Sequence, residues 1–282
     1  MKLSDINIRD PFVLVEDGVC YLYGTRGANF GQKTAGFDVY TSADLETWSD
    51  PQVCFDSEAN GYNRHVNWAP EAHNYNGGYY MFATFTAESG LRGTYILKAD
   101  DLRGPFLPWS NGPVTPPGWE CLDGTLHVEA DGTPYMVFCH EHTQIIDGTI
   151  EFMPLTPDLK AAAGEPKTIF RASSMPLVTP GRDGHCVTDG PFLYRTKTGA
   201  LLLLWASFIH GRYAEFVAKS DNGRIDGTFA HQPPLVTDDG GHGMVFRKDG
   251  RLYLTFHSPN QTPNERPRFV ELTDCGDRLE LA

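Results

Sequence analysis

Residues 10–24 read DPFVLVEDGVCYLYG, in which two apolar runs are joined by Asp17-Gly18. An Asp-Gly pair between two strand-like runs is typical of a tight β-hairpin. Similar units follow at residues 69–84 (APEAHNYNGGYYMFAT), 126–138 (LHVEADGTPYMVF), 191–205 (PFLYRTKTGALLLLW) and 243–256 (GMVFRKDGRLYLTF). A repeat of about 50 residues indicates an architecture built from stacked or radially arranged units.

The five hairpin units indicate the fold class. A unit of this size cannot bury its apolar face alone, so the units must pack against one another. A five-bladed β-propeller meets this requirement and leaves only short, protected strand edges around a central channel. The competing fold, a β-sandwich, does not require a sequence repeat, so the repeat counts against it. No linker or low-complexity stretch divides the chain, so we predict an all-β, five-bladed β-propeller formed by residues 1–282 as one domain.

Composition excludes several classes of partner. The formal net charge is -13 and no basic stripe is present, which argues against a nucleic-acid partner. No run of about 18 apolar residues occurs, so we expect no membrane partner. The chain start lacks the apolar stretch of a signal peptide, which predicts a cytoplasmic protein, or a secreted one if a leader has been removed. The six cysteines are scattered without a Cys-x-x-Cys pair, which favours reduced core thiols.

Three aspartates stand at the heads of three units: Asp10, Asp123 and Asp189. In a propeller the first strand of each blade lines the axis, so residues at its start share one mouth of the channel. Glu71 and His242 are placed correspondingly in the other two units, and we expect all five side chains on a common rim. Converging carboxylates are typical of enzymes that split glycosidic bonds.

Five short motifs, one in each blade, resemble glycoside hydrolase family 43. They are RDPF (residues 9–12), WAPE (68–71), LDGT (122–125), TDGP (188–191) and GHG (241–243). The resemblance implies a five-bladed propeller that hydrolyses arabinose- and xylose-containing glycans with inversion at the anomeric carbon. It matches Asp10 to the general base, Asp123 to the residue that tunes the pKa of the acid, and Asp189 to the general acid.

Asp189 departs from the family pattern, which normally has Glu in this place. The carboxyl is one methylene shorter, and a misplacement of about 1 Å can cost on the order of 10²-fold in rate. Three interpretations stay open. The backbone of Asp189 has shifted inward, another acid such as Glu141 or Glu215 supplies the proton, or the site binds sugar and catalyses poorly.

Further candidates lie near the same mouth of the predicted channel. Trp68 is a candidate platform for the face of a sugar ring. We predict substrate contacts for His65, Asn67, Trp68, Glu71, His257 and Arg266. The chemistry is expected to need no cofactor.

Metal binding is predicted only as a structural feature. Family members often place a histidine such as His242 at the channel centre, beside water or a bound calcium or sodium ion, so we consider a structural ion near His242. His140, Glu141 and His142 read like a metal triplet, but strand alternation places Glu141 on the opposite face from the two histidines.

These observations predict an inverting, exo-acting α-L-arabinofuranosidase or β-D-xylosidase with a short oligosaccharide as its substrate. Exo action is favoured because the loops at residues 29–36 and 61–67 could close one end of the channel. One alternative is a carbohydrate-binding or catalytically weakened propeller. Another is a phosphorylase, for which Arg9, Arg64 and Arg266 are the candidate phosphate ligands.

Overall fold

The computed structural model describes residues 1–30, 36–62 and 66–282. The predicted site residue His65, and Arg64 beside it, lie outside the described residues. Within these residues the strands form five four-stranded sheets, each built from strands that are consecutive in the chain. The predicted five-bladed β-propeller is confirmed, with one sheet for each hairpin unit.

The blades are numbered in chain order, and all their strands pair in antiparallel fashion. Blade 1 comprises β1 (Ile8–Glu16), β2 (Val19–Arg26), β3 (Phe37–Ser42) and β4 (Gln52–Phe55). Blade 2 comprises β5 (Asn67–Tyr75), β6 (Gly78–Thr86), β7 (Arg92–Ala99) and β8 (Leu107–Pro108). Blade 3 comprises β9 (Cys121–Val128), β10 (Pro134–His140), β11 (Thr149–Pro154) and β12 (Lys167–Arg171). Blade 4 comprises β13 (Asp189–Arg195), β14 (Leu201–Ile209), β15 (Arg212–Ser220) and β16 (Phe229–Val236). Blade 5 comprises β17 (Gly241–Lys248), β18 (Arg251–Ser258), β19 (Arg266–Asp274) and β20 (Leu279–Leu281).

Within the described residues, the helical segments are short and lie outside the strands. They are α1 (His142–Ile145) and the 3₁₀ turns Leu3–Asp5, Gly27–Asn29, Ala172–Ser174 and Arg182–Gly184. Within the part of the chain that the structure describes, no helix has the length and apolar character needed to cross a membrane. All six cysteines are unpaired and five of them are buried, as the prediction of reduced core thiols expected.

The hairpin turns follow from the Asp-Gly and Asn-Gly pairs. Asp17 and Gly18 have φ values of 49° and 76°, and Asn76-Gly77 and Asp249-Gly250 repeat this geometry. Two successive residues with positive φ define a type I′ turn, whose twist matches that of the strands it joins. The local sequence therefore specifies where β1, β5 and β17 turn back.

The apolar core lies between neighbouring sheets. Phe55 of blade 1 packs against Phe85 of blade 2, with ring centroids 5.5 Å apart. Phe170 of blade 3 packs against Trp205 of blade 4 at 5.2 Å. Aromatic pairs at these separations are stabilised beyond the area they bury. The blades are therefore held at fixed angles around the channel, which fixes the positions of their inner strands.

Every inner strand carries a bulge near its start, where its pairing with the second strand shifts register. The first residue of each bulge has a positive φ between 45° and 56°, and we call this the bulge position: Asp10, Ala69, Asp123, Gly190 and His242. The residue before it, the pre-bulge position, is Arg9, Trp68, Leu122, Asp189 or Gly241. A bulge redirects side chains locally and occurs often beside active sites. These two positions supply half of the residues that line the site.

The second strands hold the bulges in place across blade boundaries. The hydroxyl Oγ1 of Thr25 in blade 1 accepts the N–H of Ala69 at 2.7 Å, and that of Thr84 in blade 2 accepts the N–H of Asp123 at 2.9 Å. In blade 5 the corresponding residue is His257, whose Nδ1 accepts the N–H of Asp10 at 3.2 Å. Each of these side chains therefore satisfies a backbone donor that the bulge removes from the strand ladder.

Candidate active site

A cavity of about 200 Å³ lies at the channel mouth where the bulges meet. Its wall contains pre-bulge and bulge residues together with side chains from neighbouring loops and third strands. The lining residues are Arg9, Asp10, Phe30, Trp68, Arg92, Leu122, Asp123, Glu141, His142, Val187, Asp189, Phe208, Tyr213 and His242. Asp10, Asp123 and Asp189 are thus brought together from three blades.

The predicted common rim needs two corrections. Asp10, Asp123 and His242 occupy equivalent bulge positions, but Asp189 stands one residue earlier, because Gly190 is the bulge residue of blade 4. Glu71 stands two residues after the bulge residue Ala69 and is not among the lining residues of the cavity. Its carboxylate instead lies 3.2 Å from Nε2 of His73. The offsets arise because the acidic residue does not stand at the same place relative to the bulge in every blade.

Asp10 is held as an ionised carboxylate. Thr25 donates to its Oδ2 at 2.6 Å, and Nδ1 of His242 lies 3.2 Å from its Oδ1. Burial alone would raise the pKa of Asp10, but His242, Arg9 and the Thr25 hydroxyl lower it below the ordinary value. A carboxylate with these partners keeps its charge and can accept a proton from water.

His257 lies behind Asp10 and outside the cavity lining. Its side chain is fully buried, and burial lowers its pKa to about 4, so the imidazole is neutral. Nδ1 accepts the N–H of Asp10, while Nε2 faces Oδ1 of Asn260 at 3.2 Å and donates to it. The structure therefore places His257 outside the substrate contacts predicted for it, where it positions the backbone of Asp10.

His242 lies between the carboxylates of blades 1 and 3. Its Nδ1 is 3.2 Å from Oδ1 of Asp10 and 3.8 Å from Oδ2 of Asp123. Burial opposes the charged form, but Asp10, Asp123 and Asp189 raise the pKa of His242 to about 9. The imidazole is therefore a cation at neutral pH and compensates the charge of the acidic cluster.

The structural ion considered near His242 stays a prediction. Nδ1 of His242 faces Oδ1 of Asp10 at 3.2 Å, so Nε2 is the ring nitrogen that could face an ion, and only in the neutral imidazole. Among the described residues, no group of three or more His, Cys, Asp and Glu side chains is arranged to hold a metal ion. No step of the chemistry below involves a metal.

Asp123 and Asp189 form an interacting pair. Gly190 donates its N–H to Oδ2 of Asp123 at 3.1 Å, and Tyr213 donates its hydroxyl to Oδ2 of Asp189 at 2.9 Å. Burial and repulsion from Asp189 raise the pKa of Asp123 to about 8, and burial and repulsion from Glu141 raise that of Asp189 to about 6. The two carboxyls titrate as a pair and share a proton near neutral pH. The Gly190 N–H favours charge on Asp123 and the Tyr213 hydroxyl favours charge on Asp189, so each carboxyl has a donor for its ionised form and the pair holds one proton between them.

The two alternative acids differ in position. Glu141 lines the cavity but is engaged by the guanidinium of Arg92, whose Nη2 donates to Oε2 at 2.7 Å. Glu215 is fully buried outside the cavity lining, and its Oε2 accepts the N–H of Gly243 at 2.9 Å. Burial raises the pKa of Glu215 to about 8, so it is neutral where it lies. Glu215 therefore lies away from the mouth, whereas Glu141 reaches it with its carboxylate bound by Arg92.

The remaining predicted contacts separate into two groups. Trp68 lines the cavity and packs against Phe30 with ring centroids 5.1 Å apart. Asn67 is fully buried and its Oδ1 accepts the N–H of Gly36 at 3.2 Å. Arg266 donates to the carbonyls of Ser4, Pro263 and Glu265 away from the cavity. The structure therefore brings Trp68 to the site and places Asn67 and Arg266 in structural contacts.

Several lining residues carry no motif in the sequence. Arg92 begins β7, and Tyr213 is the second residue of β15, so both lie at the starts of third strands. Strand direction alternates in an antiparallel sheet, so the starts of the first and third strands face the same mouth. This alternation is the sequence signal that points to Arg92 and Tyr213.

The chain matches the family model of glycosyl hydrolases family 43 over residues 4–273. An endo-arabinase from Bacteroides thetaiotaomicron has 38% identity and a TM-score of 0.89, covering 97% of this chain and 96% of that one. An endo-1,4-beta-xylanase from the same organism has 22% identity and a TM-score of 0.81, covering 98% and 94%. A β-xylosidase/α-arabinofuranosidase from a compost microbial metagenome, in complex with xylotriose, has 17% identity and a TM-score of 0.77, covering 100% and 96%. No curated protein matches the chain.

The fold and the carboxylate-lined mouth define a propeller of the glycoside hydrolase class. The family match over most of the chain and the 38% identical structure show that this protein belongs to glycoside hydrolase family 43. The two structures with lower identity support the fold alone.

Proposed function

We propose that this protein is an inverting glycoside hydrolase that releases terminal L-arabinofuranose or D-xylose from oligosaccharides. The observation that carries the proposal is the convergence of Asp10, Asp123 and Asp189 on one cavity, each with a different set of partners. An inverting mechanism requires one ionised carboxylate to activate water and one protonated carboxyl at the leaving oxygen. The pKa shifts of Asp10 and Asp189 have the directions that this division requires.

In the proposed mechanism Asp10 takes a proton from the attacking water, and Asp189 gives its proton to the glycosidic oxygen. Asp123 keeps the proton on Asp189 through the repulsion between the two carboxyls. His242 stabilises the charged carboxylates of Asp10 and Asp123, and Asp189 stays available to the glycosidic oxygen. Tyr213 orients Asp189 through its hydroxyl.

The close approach of Gly190 supports the interpretation in which Asp189 reaches the substrate through a displaced backbone. A Cβ on Gly190 would lie 2.5 Å from Cδ2 of His242, so a side chain at this position would require His242 to move. Gly190 can therefore carry the backbone of blade 4 against the channel centre. Because the backbone lies close to the channel centre, the shorter side chain of Asp189 can reach the point that a glutamate would reach from a more distant backbone.

The wall on the Asp10 side supports the release of terminal sugars. The guanidinium of Arg9 lies 4.0 Å from the ring centroid of Phe30, which packs on Trp68. Arg9 is also fixed by Glu265, with Nη1 and Oε1 2.8 Å apart. This wall leaves a small cavity suited to one sugar unit, whereas the 38% identical structure is an endo-arabinase, so endo action on arabinan is the second candidate.

Product analysis separates these possibilities. With linear arabinan, arabino-oligosaccharides and xylo-oligosaccharides as substrates, we expect monosaccharide as the first product, with the inverted anomeric configuration by NMR. A mixture of oligosaccharides at early times would instead establish endo action. Inactivity on the whole panel together with measurable sugar binding would contradict the hydrolase and support a binding propeller.

The pH dependence of kcat/KM on oligosaccharides follows from the pKa shifts. Because the pKa of Asp10 is lowered below 3.8, the base stays ionised into the acid range. The pKa values of Asp189 and Asp123 are raised to about 6 and about 8, so the pair loses its last proton as the pH rises through this interval. We expect kcat/KM to be retained at weakly acidic pH and to fall as the pH rises from about 6 to about 8. An unchanged rate above pH 9, in a protein that remains folded, would contradict the assignment of the acid.

A further inference from the structure

The segment between β16 and β17 joins blade 4 to blade 5 behind the active site. Asp239 lies in this segment, two residues before β17, and is not among the residues that line the cavity. Its side chain is partly buried. Asp239 takes no part in the chemistry above, yet its two carboxylate oxygens accept backbone N–H groups from two different elements of the fold.

One carboxylate oxygen holds the start of β15. The N–H of Tyr213 donates to Oδ1 of Asp239 at 3.3 Å, and the carbonyl oxygen of Tyr213 accepts the N–H of Gly240 at 3.0 Å. The Tyr213 hydroxyl is the group that donates to Asp189. The two backbone bonds therefore fix the position from which Tyr213 reaches the acid.

The other carboxylate oxygen holds the loop that follows β18. The N–H of Asn260 donates to Oδ2 of Asp239 at 3.1 Å. The side-chain oxygen of Asn260 accepts from Nε2 of His257 at 3.2 Å and from Nη2 of Arg9 at 2.6 Å. His257 in turn accepts the N–H of Asp10. The position of Asn260 therefore determines how His257 supports the backbone of the base.

The two sides also meet directly in front of this segment. The ring of Tyr213 stacks on that of His257, with centroids 5.4 Å apart and an angle of 28° between the ring planes. Gly241 permits this arrangement, because a Cβ there would lie 2.9 Å from Cδ1 of Tyr213. A displacement of one ring therefore changes the packing of the other.

We propose that Asp239 is a positioning residue that fixes the acid and the base relative to each other, through Tyr213 on the side of Asp189 and through Asn260 on the side of Asp10. This inference rests on the proposed function. Inversion needs two carboxyls at a separation that leaves room for water, about 6.5–9.5 Å. A displacement of about 1 Å can cost on the order of 10²-fold in rate, so a brace that acts on both sides matters to both proton transfers.

Three substitutions in the segment test the proposal. Asp239→Gly removes both acceptor oxygens, and glycine adopts the φ of 54° found at this residue without strain. Asp239→Asn tolerates the same φ and retains one acceptor oxygen in place of two. Asp238→Gly is the matched control, because it makes the same change one residue earlier, at a side chain that is 88% exposed and pairs with Arg212.

Two substrates report separately on the two sides. A 2,4-dinitrophenyl glycoside needs the base but not protonation of its leaving group, whereas an oligosaccharide needs both. We expect Asp239→Gly to lower kcat by about tenfold on the dinitrophenyl glycoside and by about 10²-fold on the oligosaccharide, with KM within about threefold of the wild type. Asp239→Asn should show the same order with smaller losses, and Asp238→Gly should match the wild type on both substrates.

A smaller fraction of folded protein would lower kcat equally on both substrates. Equal losses in Asp239→Gly would therefore overturn the inference, and so would an unchanged kcat on either substrate. Turnover of the two substrates by the wild type is a separate test of the proposed function, so the two failures are distinguishable. If circular dichroism shows that Asp239→Gly does not fold, Asp239→Asn is judged by the same criteria.

Discussion

Asp189→Asn is expected to lower kcat on oligosaccharides by about 10²–10⁴-fold, the range that general acid catalysis contributes. The asparagine can still accept the Tyr213 hydroxyl through its side-chain oxygen, so the geometry at the mouth is preserved. What is lost is the proton that the leaving oxygen must receive. A 2,4-dinitrophenyl glycoside has a leaving group that departs without protonation, and its hydrolysis should be affected far less.

The dependence on the leaving group identifies the acid. Glu141→Gln is the matched control, because Glu141 also lines the cavity and also carries a carboxyl near Asp189. We expect Glu141→Gln to shift the alkaline fall of the pH profile to lower pH, because the repulsion that raises the pKa of Asp189 is reduced. If Glu141→Gln rather than Asp189→Asn shows the selective loss on poor leaving groups, the proton comes from Glu141.

Asp10→Asn is the second substitution with a large expected effect, a loss of about 10²–10⁴-fold in kcat on every substrate. The attacking water must be activated whichever group leaves, so kcat on the dinitrophenyl glycoside should fall as much as kcat on the oligosaccharide. The amide oxygen of asparagine can accept the Thr25 hydroxyl in place of Oδ2, so the fold is expected to persist. The comparison of the two substrates distinguishes this variant from Asp189→Asn.

A second measurement on Asp10→Asn reports on His242. Asp10 contributes most among the carboxylates that raise the pKa of His242 to about 9, so its neutralisation should lower that pKa. Titration of the imidazole by NMR in wild type and variant measures the change. Thr25→Val serves as a control that removes a neighbouring hydroxyl without removing charge. An unchanged titration of His242 in Asp10→Asn would contradict the proposed charge arrangement at the channel centre.

The position of Asp189 shows which part of the site could be predicted from the sequence. Aligning the units on their acids made Asp189 equivalent to Asp10 and Asp123, which the structure does not support. The second bulge residue is Pro or Gly in every blade, namely Pro11, Pro70, Gly124, Pro191 and Gly243. An alignment on these residues would have placed Asp189 beside Arg9 and Trp68 in the repeat. These Pro and Gly residues were visible in the sequence, but the bulge that they mark is a feature of strand pairing.

The roles of His257 and Tyr213 could not be derived in the same way. His257 contacts Asp10 across 247 positions of sequence, and Tyr213 reaches Asp189 from the third strand of blade 4. Neither contact follows from a local pattern, because each depends on how strands face each other once the blades have closed into a ring. The charge of His242 likewise depends on carboxylates from four blades.

The sequence by itself determined the five hairpins, the propeller they form and the mouth at which Asp10 and Asp123 lie. These features depend on turn residues and on strand periodicity, which act over a few neighbouring residues. The tertiary structure decided which carboxyls share a proton, which histidine is charged and which is neutral, and which residues only support the site. Those properties arise from burial and from charges that meet across blades, and neither is encoded at short range in the chain.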